Sequence, residues 1–120
     1  MTVRSISAIT LSVSDMPRSV EFYHSTIGLA LMHGGANDSF VSFQIGSGYL
    51  NLISSINTKI HWWGRVIIYV DHVDDLYNKI LASGWHISDR PQDAQWGERY
   101  FHVMDPDGHE LSFASPIINR

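Results

Sequence analysis

The chain contains no cysteine, which at once excludes disulfide bonds, thiolate metal sites and a cysteine nucleophile. It also lacks any basic cluster: eight Lys and Arg stand against twelve Asp and Glu, a formal net charge of −4. Nucleic-acid phosphates find little to bind on such a surface, so no nucleic-acid partner is expected. No stretch approaches the roughly 20 apolar residues that a membrane span requires, and no membrane partner is expected. The opening MTVRSISAITLSV has one Arg, an apolar run shorter than a usual signal core and no convincing cleavage site. It reads as a first strand, and a cytoplasmic location is expected. Gly34-Gly35 lacks the context of a phosphate loop and reads as a turn.

What is present describes a folded domain. An apolar fraction of 44% and a charged fraction of 17% argue against disorder. A chain of 120 residues suits one domain, 1–120, that buries roughly two thirds of its unfolded surface.

Alternation marks Ile9 to Val13 as a strand. Asp15 then offers an N-cap, Pro17 suits a first helical turn, Val20, Phe22, Tyr23 and Ile27 follow at roughly helical spacing, and Gly28 ends the helix. FVSFQI, a GSG turn and YLNLIS read as a hairpin. The pattern restarts at Arg65 with the strand RVIIYV, an Asp-rich cap, a helix through DDLYNKILA and Gly84 as its stop. ERYFHVM, a DPDG turn and HELSFAS close it. Both halves are β-α-β-β-β in outline, with Val13-Ser14-Asp15 falling on Val70-Asp71-His72, Ser19 on Leu76, and Gly28 one residue out of register with Gly84. One such module leaves a sheet face uncovered, whereas two can share a core or cavity. Module one is set at about residues 5–55, a linker at about 55–64 and module two at about 65–116.

The frames LSVSDMPRSVEFYHSTIGL, GRVIIYVDHVDDLYNKI and WGERYFHVMDPDGHELSF together resemble the vicinal oxygen chelate superfamily. That group includes glyoxalase I, extradiol dioxygenases, fosfomycin-resistance enzymes and bleomycin-resistance proteins. The resemblance covers nearly the whole chain. It implies an α+β fold of two tandem βαβββ modules forming an eight-stranded cup, commonly as a homodimer.

Enzymes of that superfamily place metal ligands, usually His, Glu or Gln, at up to four matching strand positions. Carried onto this chain, those positions hold Ala8, Asn51, Arg65 and Ser112. Alanine cannot ligate, and arginine is a permanent cation that repels a divalent ion. Asn51 and Ser112 offer neutral oxygens only. No metal and no other cofactor is therefore expected. The main route back to a metal is Glu110, which alternation places on the same face as Ser112. His102 shares a face with Tyr100 and Met104, where packing competes with ligation.

The resemblance points most closely to the bleomycin-resistance branch, whose cups lack these ligands and bind rather than catalyse. The expected function is metal-free sequestration of a flat, partly polar small molecule, of bleomycin type or another aromatic compound, in a cup or dimer cleft. The candidate binding residues are Asn51, Trp62, Trp63, Arg65, Trp96, His102, Glu110 and Ser112. Aromatic faces stack on flat guests and on desolvated cations. Trp62, Trp63 and Trp96 serve equally to line a ligand cleft or to fill a dimer interface, whereas Trp85, after a helix stop, is expected in the core. Arg65 either pairs internally with Glu110 or Glu98, or meets a ligand through its planar fork. Asp71, Asp74 and Asp75 read as helix-start residues favoured by the dipole. Two other classes stay open: an enzyme of the same superfamily working through Arg65, Glu110 and His102, and a structural or regulatory dimer with a filled cup.

Overall fold

Alternating side chains over Ala8–Val13 form β1, in which Leu11 and Val13 are buried and Ala8 and Thr10 face outward. The Asp15 carboxylate then accepts the Arg18 backbone N–H at 3.1 Å and opens α1 (Met16–Val20), with Pro17 in its first turn. The helix widens into a π-type segment, Glu21–Ile27, where the Tyr23 carbonyl accepts the Gly28 N–H five residues on, at 3.2 Å. The sequence spacing suggested an ordinary helix here. Gly28 ends it at φ 98°, a left-handed conformation that suits glycine.

β2 (Ala30–His33), β3 (Phe40–Ile45) and β4 (Gly48–Ser54) complete the first sheet. Its order is β1-β4-β3-β2, with β1 parallel to β4 and the other pairs antiparallel. The parallel β1–β4 pair cannot be joined by a tight hairpin. The helix, β2 and β3 make that crossover. The loop from β2 to β3 turns at Gly34 (φ +76°), where an added Cβ would lie 2.4 Å from the Phe40 carbonyl oxygen. Gly35 beside it has no atom nearer than 3.9 Å to such a Cβ, and its N–H donates to Asp38 Oδ2 at 2.8 Å.

The second half repeats the plan with β5 (Arg65–Tyr69), α2 (Val73–Ala82), β6 (Gln92–Asp93), β7 (Glu98–Met104) and β8 (Glu110–Pro116). Its sheet order, β5-β8-β7-β6, has a parallel β5–β8 pair at the equivalent place. Two expectations need correction. His72, not an aspartate, stands at the N-cap of α2 and makes no side-chain cap bond, while Asp74 and Asp75 occupy the first turn. Trp85 is only half-buried, because its indole N–H reaches the Met104 carbonyl at 3.0 Å near a strand end.

In this computed structural model, which describes residues 1–117, the chain divides into two compact units between Lys59 and Ile60. The first buries Leu11, Val13, Val41, Phe43, Leu50 and Leu52 beside Phe22 and Tyr23. The second buries Val66, Ile68, Phe101, Val103, Leu111 and Phe113 beside Val73 and Ile80. Arg99 ties α2 to β7 and β6 through Asp74, at 2.9 and 3.0 Å, and Asp93, at 3.0 Å; these hydrogen bonds hold its guanidinium above its ordinary range. Among the described residues no helix is long and apolar enough to cross a membrane.

Candidate functional site

The DPDG turn is built from inside. Asp105 is 3% exposed, and one carboxylate oxygen accepts the backbone N–H groups of Asp107 at 2.9 Å and His109 at 2.8 Å. This local carboxylate-to-backbone pattern is what Asp does in turns. The most conspicuous acidic motif of the sequence therefore shapes the β7–β8 hairpin.

On each sheet the helix packs over one face, and alternate residues point to the other. On the first sheet that open face carries Ala8 and Thr10 of β1, Ser42 of β3, and Tyr49, Asn51 and Ile53 of β4. Asn51 pairs across the sheet with Thr10 on one side and Ser42 on the other. The Ser42 hydroxyl donates to the Asn51 carboxamide oxygen at 2.7 Å, and the Asn51 amide reaches Thr10 Oγ1 at 3.4 Å. This row is neutral and bonded within itself.

The open face of the second sheet differs. It carries Arg65, Ile67 and Tyr69 of β5, Glu110, Ser112 and Ala114 of β8, and Glu98, Tyr100, His102 and Met104 of β7. Arg65 is the cross-strand partner of Glu110, and its guanidinium Nε donates to the Glu110 carboxylate. Trp62 lies over the same guanidinium, 5.6 Å from ring centre to Cζ. Trp63 turns elsewhere: its indole N–H donates to His109 Nδ1 at 2.9 Å.

Toward the other end of this face, the Glu98 carboxylate accepts from the Tyr69 hydroxyl on one oxygen and from the Trp96 indole N–H, at 2.8 Å, on the other. The hydrogen bond to Glu98 and the charge behind it hold the Tyr69 phenol above its ordinary range, with a smaller contribution from desolvation. Trp96 stacks on Tyr100 with centroids 6.0 Å apart and planes 20° from parallel. Tyr100 in turn meets His102 at 5.2 Å. Among the described residues His102 Nδ1 is buried and finds no hydrogen-bond partner, and Ser112, its cross-strand neighbour, is 2% exposed.

Of the candidate binding residues, Trp62, Arg65 and Glu110 therefore form one cluster, and Trp96 and His102 join through Tyr100 in another. Ser112 lies on the same face, Asn51 on the first unit's sheet, and Trp63 in the His109 contact. Arg65 takes Glu110 rather than Glu98. The sequence places Tyr100 on the face of His102 but neither it nor Tyr69 stands among the candidates, although the alternation of RVIIY also puts Tyr69 in line with Arg65.

The residues at the four metal positions do not suit a divalent cation. Ala8 has no ligating side-chain atom, Asn51 and Ser112 offer neutral oxygens, Arg65 brings a guanidinium, and Glu110, two residues before Ser112, is paired with that guanidinium. Among the described residues no three His, Asp or Glu side chains gather closely enough to hold a metal ion.

Residues 5–113 match the Glyoxalase/Bleomycin resistance protein/Dioxygenase superfamily. The chain belongs to that superfamily. It is 28% identical to the metallothiol transferase FosB of Lysinibacillus sphaericus strain C3-41, over 94% of this chain and 83% of that protein. It is 26% identical to a bleomycin resistance protein of Geobacillus stearothermophilus, over 89% of this chain and 93% of the relative. Among solved structures, one described as a glyoxalase family protein of Bacillus anthracis superposes with a TM-score of 0.82 at 17% identity, covering 97% of this chain and 98% of that one. That likeness shows the fold: α+β, with two tandem βαβββ modules.

Proposed function

We propose that this superfamily member is a metal-free binding protein that holds a flat, partly polar small molecule against the open face of its second sheet. The observation that carries this reading is the character of that face. Trp62 is 67% exposed, Tyr69 65% and Trp96 72%, and they accompany a set of oriented polar groups: Arg65 with Glu110, and Glu98 between Tyr69 and Trp96. Large exposed rings beside a few oriented polar groups suit recognition of a planar guest. The donor set at the metal positions supports binding rather than metal-assisted turnover, and the bleomycin-resistance relatives support a compound of that type as guest. A homodimer and a cytoplasmic location belong to the same proposal, with Trp63, 49% exposed, available to a partner subunit.

Titration of tryptophan emission with bleomycin and a panel of aromatic metabolites tests it. Saturable quenching is expected, weakened by Trp96→Ala and by Arg65→Ala. Absence of binding below about millimolar, weaker than roughly −4 kcal/mol, overturns the reading. So does about one transition metal per chain in untagged natively purified protein, together with metal-dependent turnover. Light scattering at micromolar concentration tests the dimer, and a monomer there refutes it.

A further inference from the structure

We propose that Glu98 seats the cationic end of the guest: an organic ammonium group rests on its carboxylate, flanked by Trp96, Tyr69 and Tyr100. This deepens the binding reading above and rests on it. Ion pairs of the described residues include Arg65 with Glu110 and Arg99 with Asp74 and Asp93. None of these involves Glu98. Its two oxygens are held instead by neutral donors, the Tyr69 hydroxyl and the Trp96 indole N–H. Neutral donors fix a carboxylate in place without cancelling its charge, and these two donors use about half of its roughly four lone-pair sites.

Arg99, beside Glu98 in the chain, and Arg65, on the same face, are each engaged elsewhere. Arg99 is the next residue, but strand alternation sends it to the opposite face, where Asp74 and Asp93 occupy it. Arg65 stands four residues before Tyr69 on β5, roughly 13 Å along the strand at about 3.3 Å per residue, and is taken by Glu110 and Trp62. One end of the face is thus a compensated pair, and the other is an oriented anion among rings. The upward shift of the Tyr69 phenol has the same origin, an anionic neighbour. An ammonium gains from the carboxylate and from any ring face it meets, whereas a phosphate or carboxylate guest is repelled.

The test uses two probes of one shape and different charge: 2-naphthylmethyl-trimethylammonium and its neutral isostere 2-neopentylnaphthalene. The intact protein is titrated with each at low salt. The cation is expected to bind about tenfold or more tightly than the isostere. Glu98→Gln should erase that preference, and Glu98→Asp, which keeps the charge, should retain part of it. In wild-type protein, 1 M salt should weaken the cation and not the isostere, a readout that needs no variant to fold. Equal binding of the two probes, a preference that survives Glu98→Gln in a folded variant, or salt-independent cation binding overturns the Glu98 seat and leaves the binding reading standing. If neither probe binds, both fall.

Discussion

On the first sheet the open face is crossed by Thr10, Asn51 and Ser42, which satisfy one another's hydrogen bonds. On the second, the same side of the same four-stranded plan carries Arg65 against Glu110, Trp62 over the guanidinium, and Glu98 between Tyr69 and Trp96. The helix-covered faces of the two sheets are alike, both packed with Val, Leu, Ile and Phe. Repetition of a fold therefore constrains the covered side, where period-two apolar residues must meet a helix, and leaves the open side to diverge. This difference is what the proposed binding role on the second repeat rests on.

The likeness of the two cores is broken most severely by removing a central aromatic ring. Phe43→Ala in the first unit and Phe101→Ala in the second, each 0% exposed, should both cost about 3–5 kcal/mol. Chemical denaturation of the two variants checks this. A loss below about 1 kcal/mol in one of them would show that the repeats are not equivalent in packing. Next in size is Asp105→Ala, which orphans the N–H groups of Asp107 and His109 and should cost about 1–3 kcal/mol in the same measurement.

The contrast between the open faces is sharpened by a pair of variants read by calorimetry with whichever aromatic guest binds. Trp96→Ala should weaken binding about tenfold, close to 1.4 kcal/mol. Asn51→Ala should change it by less than about twofold, because that amide is already committed to Ser42 and Thr10. The reverse order would move the site to the first sheet.

The smallest effect belongs to Tyr69. Its folded pKa lies above the ordinary value of 10.0, so the Tyr69–Glu98 bond adds stability that is complete below about pH 10 and disappears as pH rises through the shifted value. Ultraviolet titration of the phenols should show one tyrosine ionising late, and Glu98→Gln should return it to the ordinary range. An unchanged titration in that variant would mean the bond is absent in solution.

Much of the architecture could be read from local signals. Asp15, Pro17 and Gly28 bracket the first helix because each answers a backbone requirement of the chain within a few residues. The widening at Glu21–Ile27 could not be read, since apolar spacing of this kind fits either turn width. The two-residue β6 carries no periodicity to detect. At the candidate site, the shared face of Glu110 and Ser112 followed from alternation and the place of Arg65 from the family resemblance, but the choice of Glu110 over Glu98 as partner of Arg65 depends on β5–β8 register. Strand register is a tertiary property. For the same reason the Glu98, Tyr69 and Trp96 group became visible only once β5 lay two strands from β7.

The dipeptide Gly34-Gly35 has a genetic consequence. Every single-base change that alters a glycine codon's residue adds a Cβ, and at position 34 that atom would press on the Phe40 carbonyl in a left-handed backbone. At position 35 its nearest neighbour would be Asp38 Oδ2 at 3.9 Å, an ordinary contact. Two neighbouring, chemically identical residues thus differ sharply in what they tolerate. A library of random variants sorted for folded protein should be nearly empty at the first and well populated at the second.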